Sequence, residues 1–409
     1  MNTIKLAFRN IFRNKRRSIF SILAISIAAL TITFLFSLLE GIKADIRNNA
    51  WNYETGQVRI RNTEYDRYEY LYPVQYTVEQ LDRLVEILDS NQEVKAISPR
   101  IRIPGVVFKG SQQYATMGLG LDLAREQEFQ DMSKILSEGR LPAERSREAA
   151  IGVALARDLG VGIGDSVTFL TQTKYRSANA FTVDIVGILA FPVAVLNQRS
   201  WIIPLSTAAG YMRMDNEASE VLVKTISGNP VDTAAQINEA MIEAGVEKLH
   251  AESWTKISAG YSYLQFAGIV YQFIALIFFL LAATVVISTT MMVVHERTKE
   301  IGTLAALGMS SKEIVRLFFA EACMLGFAGA AIGVLLGAAV TLPTSILGID
   351  FGASMDMVDM GISSIFYPAL NLRSTVFVFF FAWIVTMATT WPSARGAAKL
   401  KPVEALRAE

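Results

Sequence analysis

The chain has 409 residues, of which 52% are hydrophobic and 19% charged, and its 38 basic and 38 acidic residues cancel at pH 7. Soluble domains carry roughly 25% charged residues, so this composition, with a mean hydropathy of +0.34, excludes a wholly soluble protein. The single cysteine, Cys323, excludes an internal disulfide framework and a multi-cysteine metal site, and the cancelling charges give no argument for a nucleic-acid partner.

The first 18 residues are predicted to form a cytoplasmic amphipathic helix. They contain six basic residues and no acidic one, which by the positive-inside rule keeps this end in the cytoplasm. Ile4, Phe8, Ile11 and Phe12 fall on one helical face, opposite the cations. This pattern is typical of a helix that lies in the plane of the lipid headgroups, but a simple cluster of topogenic charges would have the same composition.

Four uncharged segments predict four transmembrane helices, because about 20 apolar residues cross a bilayer as a helix. The uncharged segments are residues 19–39, 257–294, 322–349 and 374–390. The predicted spans are residues 19–40, 263–294, 317–345 and 374–391. A cleavable signal peptide would have a shorter apolar run and a small-residue cleavage site, and no clear site of that kind follows the first segment.

The charges of the connecting segments set the orientation. With four spans, the 295–316 loop and the 392–409 tail join the N-terminus in the cytoplasm, whereas residues 41–262 and 346–373 lie outside. Residues 40–262 hold 23 basic and 29 acidic residues, and both predicted cytoplasmic segments are rich in Lys and Arg. Every segment therefore agrees with one topology, in which both termini are cytoplasmic.

Residues 41–262 are predicted to form a large α+β extracytoplasmic domain, inserted between the first and second transmembrane helices. Thr77 and Gln80 have the spacing of a capping box that opens a helix, and a second helix is predicted near Val231 to Ala244. No G-x-S-x-G, HExxH or paired-cysteine motif occurs, so no catalytic residue is predicted. Strand-like runs between turn residues lie at 101–109, 113–121, 165–170, 181–191 and 219–226.

The flanks of the first two spans predict a stalk beneath this domain. A helix that continued from about Ser253 to Arg297 would reach roughly 67 Å at 1.5 Å per residue. The hydrocarbon core is only about 30 Å thick, so much of that helix would project outside. The first span would do the same if it ran on towards Trp51.

The 295–316 loop, HERTKEIGTLAALGMSSKEIVR, carries a short helical pattern. Ile301, Leu304 and Leu307 recur at three-residue spacing and form one apolar stripe, and Gly308 suits the residue that ends a helix. Ser310 and Glu313 then form a capping box that begins the third span. The stripe either contacts a cytoplasmic partner or packs back on the helix bundle.

The third span contains two overlapping G-x-x-x-G units. Their small residues allow another helix to approach closely, and packing within one bundle is favoured over a dimer seam. Glu321, near the inner end of this span, is costly in lipid and is expected to face protein or water. The residues predicted for helix packing are Gly326, Gly329, Gly333 and Gly337.

At this point the sequence resembles the MacB/FtsX-type ABC transporter permeases, and within them the lipoprotein-releasing LolC/LolE kind. The likeness spans the whole chain and is most specific in the loop and the tail. The segments that carry it are LAFRNIFRNKRRS, AAIGVALARDLGVGIGDSVTF, ERTKEIGTLAALGMSSKEI, GFAGAAIGVLLG and WPSARGAAKLKPVEALR.

The resemblance implies a non-enzymatic subunit of the bacterial cytoplasmic (inner) membrane that pairs with a second permease copy or a paralogue. The resemblance also implies that ATP and Mg are bound by a separate dimer of ATPase subunits. This chain has no G-x-x-x-x-G-K-[ST] motif with which to hold nucleotide phosphates itself. In the family, a coupling helix docks on that ATPase, and its motion is relayed through the stalks, which is called mechanotransmission. The matching residues here are Glu296, Arg297, Glu300, Ile301, Leu304, Leu307 and Gly308.

In the lipoprotein-releasing members, lipid chains enter between the first and second spans of the two protomers. This places a substrate path near Leu30, Phe34, Phe266 and Tyr271. Some members also capture a periplasmic carrier with a proline-containing hairpin. The matching stretch, Thr171 to Ala180, is short and has no proline, so carrier capture is not expected of this chain.

The leading hypothesis is a permease that extracts or exports lipoprotein or another hydrophobic substrate, in contact with membrane lipid. One alternative is an exporter of a peptide or a small amphiphile. Another is an FtsX-like regulator that transmits ATPase motion to a cell-wall hydrolase and transports nothing, for which the outer domain is larger than expected. An integral membrane enzyme ranks last, for lack of a reactive cluster.

Overall fold

The computed structural model describes residues 3–13, 15–226, 229–246, 248–296, 303, 309–351 and 363–397. The chain divides into two compact units. The membrane unit comprises Met1–Lys43, Gln265–Ile349 and Phe366–Glu409, and the head unit comprises Ala44–Leu264 and Asp350–Ile365.

The α-helices of the described residues are numbered in chain order. They are α1 (Thr3–Arg13), α2 (Lys15–Asn49), α3 (Thr63–Arg67), α4 (Leu81–Asp89), α5 (Leu123–Phe129), α6 (Val153–Leu159), α7 (Ala194–Arg199), α8 (Leu205–Met212), α9 (Pro230–Glu243), α10 (Trp254–Ile257), α11 (Ala259–Glu296), α12 (Ser311–Leu347) and α13 (Leu372–Ala397). A π-helical turn, Ala50–Glu54, follows α2, and 3-10 turns occur at Glu69–Leu71 and Met132–Lys134.

The strands are numbered in the same way. They are β1 (Val58–Asn62), β2 (Val94–Lys109), β3 (Gln112–Leu121), β4 (Leu136–Gly139), β5 (Glu148–Gly152), β6 (Ser166–Gln172), β7 (Ala178–Leu189), β8 (Ser200–Pro204), β9 (Glu220–Thr225), β10 (Leu249–Ser253), β11 (Ile349–Asp350) and β12 (Ile365–Phe366).

Four helices of the described chain are long and apolar enough to cross a membrane. Each of these helices contains one of the uncharged runs of the sequence or overlaps it, as expected because a charged side chain is costly in lipid. By length and composition the candidate spans are Ser18–Glu54, Ala259–Phe278, Ser311–Leu347 and Leu372–Pro392.

The expected helix from Ser253 to Arg297 is corrected at its start. Ser253 belongs to β10, where it pairs with Val58 of β1, so its backbone is extended rather than helical. A single turn, α10, follows, and Ser258 is again extended at φ −81° and ψ 121°. The long helix α11 therefore begins at Ala259 and has 38 residues, whereas α2 does continue to Asn49.

The head unit is built on a ten-stranded mixed sheet. Along its main path the strand order is β10-β1-β9-β2-β3-β8-β5-β7-β4, and β6 pairs with both β2 and β7. The β3–β8 and β5–β7 pairs are parallel and the others antiparallel. The 16-residue strand β2 pairs with β9 over its first half and with β3 over its second half, so one strand serves both halves of the sheet.

Two main hydrophobic clusters fill the head unit. One surrounds the fully buried Trp201, whose ring stacks on Phe169 at a centroid distance of 4.1 Å. Gly118 faces that ring, and a side chain there would collide with it. The other cluster packs α4 and α9 on the β1–β9 side, where Leu84 and Ile237 are fully buried.

The expected Thr77–Gln80 capping box is not formed. Gln80 lies in the left-handed region at φ 53° and its side chain caps nothing, while the Thr77 hydroxyl donates to Glu217 Oε2 at 2.7 Å. The amide groups at the start of α4 are bound instead by Asn216, whose side-chain oxygen accepts from Asp82 N at 3.1 Å. A cap supplied from a distant part of the chain leaves no local sequence signal.

Candidate functional site

Within the membrane unit, the glycines of α12 lie against α2 and α13. A methyl group added to Gly329 would lie 2.8 Å from Ile25 Cβ, and one added to Gly333 would lie 2.5 Å from the backbone oxygen of Ser26. Gly337 faces Thr33 in the same way, while Gly326 faces Thr386 of α13. Without side chains at these positions the helix backbones approach closely, and α12 forms the centre of the helix packing.

Polar side chains reinforce this packing. Ser26 Oγ donates to the carbonyl oxygen of Gly329 at 3.0 Å. Glu321, only 8% exposed, accepts a hydrogen bond from Asn10 Nδ2 of α1 at 2.6 Å. Glu321 therefore faces protein. Because an unsatisfied polar group is costly in lipid, these bonds hold α1 and α2 on α12.

The predicted substrate-path residues differ in exposure. Phe266 on α11 is 65% exposed, whereas Leu30, Phe34 and Tyr271 are half-buried. Phe266 heads an exposed apolar row of α11 that continues through Ile269, Phe273, Leu276 and Leu280. Gln272 is exposed beside this row and places a polar amide on a largely apolar surface.

Most of the predicted ATPase-coupling residues lie outside the described residues. Of the seven, Glu296 is described only as the last residue of α11, and Arg297, Glu300, Ile301, Leu304, Leu307 and Gly308 are not described. The capping box that follows them is present. Ser310 N and Ser310 Oγ both donate to Glu313 Oε2 at 2.8 Å, so α12 begins where the sequence predicts.

In the head unit, three cationic side chains donate hydrogen bonds to the end of the π-helical turn that follows α2. Arg100 donates to the carbonyl oxygens of Asn52 and Tyr53 at 2.7 and 3.1 Å. Arg102 Nη2 donates to Glu54 O at 3.2 Å, and Lys224 Nζ donates to Asn52 Oδ1 at 2.7 Å. Helix ends leave carbonyls unsatisfied and carry partial negative charge, so cations bind there favourably. We call Arg100, Arg102 and Lys224 the helix-end clasp.

Two buried carboxylates hold the clasp arginines. Arg100 Nη2 lies 2.8 Å from Glu126 Oε1, and both side chains are at most 2% exposed. Arg102 Nε lies 2.6 Å from Glu220 Oε1, and Arg61 binds the other Glu220 oxygen at 2.5 Å. Each buried carboxylate is thus paired, as a buried charge must be.

Burial and interactions with neighbouring charges shift the pKa values of Glu220 and Lys224. Burial alone would raise the pKa of Glu220, but Arg102 and Arg61 outweigh it and hold the pKa well below its usual range. Desolvation lowers the pKa of Lys224 to about 8, against a favourable interaction with Glu126. At neutral pH Glu220 and Lys224 are therefore mainly in their charged forms.

Further contacts in the head unit surround the same helix end. Ser363 N and Ser363 Oγ donate to the two carboxylate oxygens of Asp45 at 2.9 and 2.7 Å. Trp254 of α10 packs edge-on against Trp51, with ring centroids 5.8 Å apart, and also against Tyr261 of α11 at 5.0 Å. Trp254 therefore contacts both the turn that follows α2 and the start of α11.

The sequence patterns did not single out the clasp. The available signal was the alternation of arginines in the sequence, with Arg59 and Arg61 in the segment that forms β1 and Arg100 and Arg102 in the segment that forms β2. An inward-facing charge in a strand requires a buried partner, but local spacing does not reveal which carboxylate supplies it. Among the described residues no group of three or more His, Cys, Asp or Glu could hold a metal ion.

Comparison with known proteins decides the family. The MacB-like periplasmic core domain family matches residues 18–240, more than half of the chain. The FtsX-like permease C-terminal family matches residues 272–402. The chain belongs to the MacB/FtsX-type ABC transporter permeases. It is a multi-pass membrane permease in which a MacB-like α/β domain is inserted between the first and second of the four apolar helices found among the described residues.

Individual relatives of this permease agree with that assignment. The macrolide export ATP-binding/permease protein MacB of Chlorobium luteolum is 23% identical over 99% of this chain and 60% of its own length. The chain thus spans three-fifths of that relative. The lipoprotein-releasing system transmembrane protein LolE of Haemophilus influenzae is 23% identical over 81% of each chain. LolC of Neisseria meningitidis serogroup B, which bears the same description, is 26% identical over 95% of this chain and 93% of its own.

Proposed function

We propose that this permease relays the motion of a separate ATPase through α2 to the head unit, and so extracts or exports lipoprotein or another hydrophobic substrate. The supporting observation is the helix-end clasp. Arg100 binds two carbonyl groups at the end of the turn that follows α2 and is itself held by buried Glu126. A displacement of α2 is in this way passed to β2 and the sheet.

The length of α2 supports the same mechanism. It has 35 residues without a break, about 52 Å at 1.5 Å per residue, whereas the hydrocarbon core is about 30 Å thick. An unbroken helix transmits displacement along its axis with little loss. The close packing of α2 on Gly329 and Gly333 makes α12, which begins directly after the predicted coupling helix, the element that moves it.

The ATPase is proposed as a separate dimer, with ATP and Mg bound there rather than on this chain. The relative MacB is named as both ATP-binding protein and permease, and the 409 residues of this chain contain no phosphate-binding loop motif. The coupling helix, Glu296 to Gly308, is the proposed contact with that ATPase.

The proposed cargo path follows the exposed row of α11, in a dimer with a second permease copy or a paralogue. Phe266 and its apolar neighbours suit contact with acyl chains. The polar side chain of Gln272 is unfavourable in contact with lipid, and a dimer partner or a cargo molecule would supply it with a hydrogen-bond partner. The names of LolE and LolC refer to lipoprotein release, and this is why lipoprotein is the proposed cargo.

The proposal is tested by depleting the permease and locating lipoproteins by membrane fractionation. We expect lipoproteins to accumulate in the cytoplasmic membrane and to be released again when the wild-type chain is restored. Normal release after depletion would contradict the cargo. Loss of cell-wall hydrolase activation in the same cells would instead favour an FtsX-like regulator, and loss of export of a peptide or small amphiphile would favour an exporter.

A further inference from the structure

A groove of about 910 Å³ lies in the membrane unit between the start of α12 and the end of α13. Its polar lining includes the cations Lys312, Arg316 and Arg395. Its apolar lining includes Phe319, Met324 and Trp391. The groove is therefore basic in one part and hydrophobic in another.

The chemistry of the groove changes along the axis of α12. Lys312 and Arg316 lie one helical turn apart, in the first two turns. Phe319 and Cys323 continue the same side of the helix, and Met324, which also lines the groove, lies about 18 Å from Lys312 along the axis at 1.5 Å per residue. The order from charged to apolar follows the candidate span, which begins at Ser311, so the cations lie at the membrane surface and the apolar wall lies within the membrane.

The described lining of the groove contains three cations and no acidic residue. Glu313 interacts electrostatically with Arg316, and its Oε2 atom already accepts two hydrogen bonds from Ser310. The Arg395 guanidinium lies 4.9 Å from the centre of the Trp391 ring. Trp391 in turn packs edge-on against Phe319 at 6.0 Å. Within the described residues no carboxylate forms an ion pair with Lys312, Arg316 or Arg395.

We propose that this groove binds an anionic phospholipid. The headgroup phosphate lies among Lys312, Arg316 and Arg395, and an acyl chain lies along Phe319 and Met324. Basic pockets between membrane helices bind anionic headgroups, and tryptophan is favoured at the lipid–water interface. This lipid site is separate from the proposed cargo path on α2 and α11, and it does not depend on the identity of the cargo.

The test uses the full chain purified in a neutral detergent and titrated with phosphatidylglycerol, phosphatidylcholine or inorganic phosphate. Bound lipid is counted by native mass spectrometry. The groove variant K312Q/R316Q removes two cations, and the control R145Q/R176Q removes two exposed cations of the head unit. Ala320→Phe fills the groove while all its charges remain. Circular dichroism checks that each variant is folded, and Arg395→Gln replaces the groove variant if that one is not.

We expect the wild-type chain to retain phosphatidylglycerol in preference to phosphatidylcholine, and an excess of inorganic phosphate not to displace it. The groove variant is expected to bind phosphatidylglycerol with an affinity at least about tenfold lower than that of the wild type. Ala320→Phe is also expected to weaken binding, and R145Q/R176Q to leave it near the wild-type value. Unchanged binding in the groove variant, equal retention of the two lipids, or displacement by free phosphate would each overturn the proposal.

Discussion

The Nη2 atom of Arg100 lies 2.7 Å from the carbonyl oxygen of Asn52, at the end of the turn that follows α2. Because Glu126 holds the same guanidinium group at 2.8 Å, the helix end is joined to β2 through a buried charge pair. This bond connects the C-terminal end of the candidate span Ser18–Glu54 to the sheet of the head unit. If the permease relays motion, Arg100 is a positioning residue for that relay.

The first prediction concerns the double variant Arg100→Gln/Glu126→Gln. Replacing both members of a buried pair costs far less than leaving one of them unpaired, so the head unit is expected to fold. The guanidinium bonds to Asn52 and Tyr53 are lost, so we expect the assembled complex to hydrolyse ATP but to release substrate at least about tenfold more slowly. ATPase and release assays on the same preparation measure this uncoupling.

The control for that variant is Arg125→Gln/Asp89→Asn. This pair also joins α5 to another element at 3.1 Å, but its side chains are 34% and 50% exposed and it does not contact α2. Exposed pairs contribute about 0–1 kcal/mol, so both activities should match the wild type. Full substrate release by Arg100→Gln/Glu126→Gln would show that the clasp is not part of the relay.

A second prediction concerns acid stability. The pKa of Glu220 is depressed in the folded chain, so its stabilising effect is complete above the unfolded-state value of 4.5 and is lost as the pH falls below it. Glu220→Gln should lower the free energy of unfolding at pH 7 by about 3–5 kcal/mol, because Arg61 and Arg102 lose a buried partner. The variant should also lose less stability than the wild type between pH 5 and 2, in roughly the range where the carboxylate titrates.

Urea unfolding of the detergent-solubilised chain, followed by tryptophan fluorescence, measures this effect. Glu64→Gln is the control, since Glu64 pairs with Arg67 at 3.4 Å on the surface and should change stability little. Identical pH profiles for Glu220→Gln and the wild type would contradict the charge network.

A third prediction tests the packing of α12. Gly333→Ala places a methyl group 2.5 Å from the Ser26 backbone oxygen, so the helices must separate, at a cost of about 1–3 kcal/mol. Gly268→Ala in α11 is the control, because nothing lies within 4 Å of the added group. Thermal unfolding in detergent should show a lower midpoint temperature for Gly333→Ala than for the wild type. The midpoint of Gly268→Ala should not decrease. Equal midpoints would disprove close packing at Gly333.

A fourth prediction tests the coupling helix. Leu304→Asp places a charge in the predicted apolar stripe and should abolish co-purification of the ATPase. Thr303→Ser changes the neighbouring exposed residue and should leave co-purification intact. Retained association in Leu304→Asp would remove the assignment of Glu296 to Gly308 as the ATPase contact.

The sequence predicts some of these features well and others not at all. Uncharged runs reveal membrane helices because lipid excludes charge, and the capping box of α12 is local, from Ser310 to Glu313. The five strand-like runs of the outer domain correspond to β2, β3, β6, β7 and β9. In contrast, β8 was not predicted, because all five of its residues are buried and it shows no alternation.

Contacts between residues that are far apart in the chain are the main features that could not be predicted from the sequence. Arg102 and Glu220 are 118 positions apart, and Asn216 caps α4 from 134 positions away. The pairing of such residues depends on the strand order of the sheet, and no local spacing encodes it. The clasp could therefore be suspected from the arginines of β1 and β2, but its partners required the fold.

A relay between the head unit and the coupling loop requires that they lie on opposite sides of the membrane. It is tested most directly with single cysteines at Thr303 and Glu243, introduced separately in a Cys323→Ser background. Both positions are exposed, and a membrane-impermeant maleimide is applied to spheroplasts before and after permeabilisation. We predict that Glu243→Cys reacts in intact spheroplasts and that Thr303→Cys reacts only after permeabilisation. Reaction of both cysteines from the same side would contradict the proposed relay across the membrane.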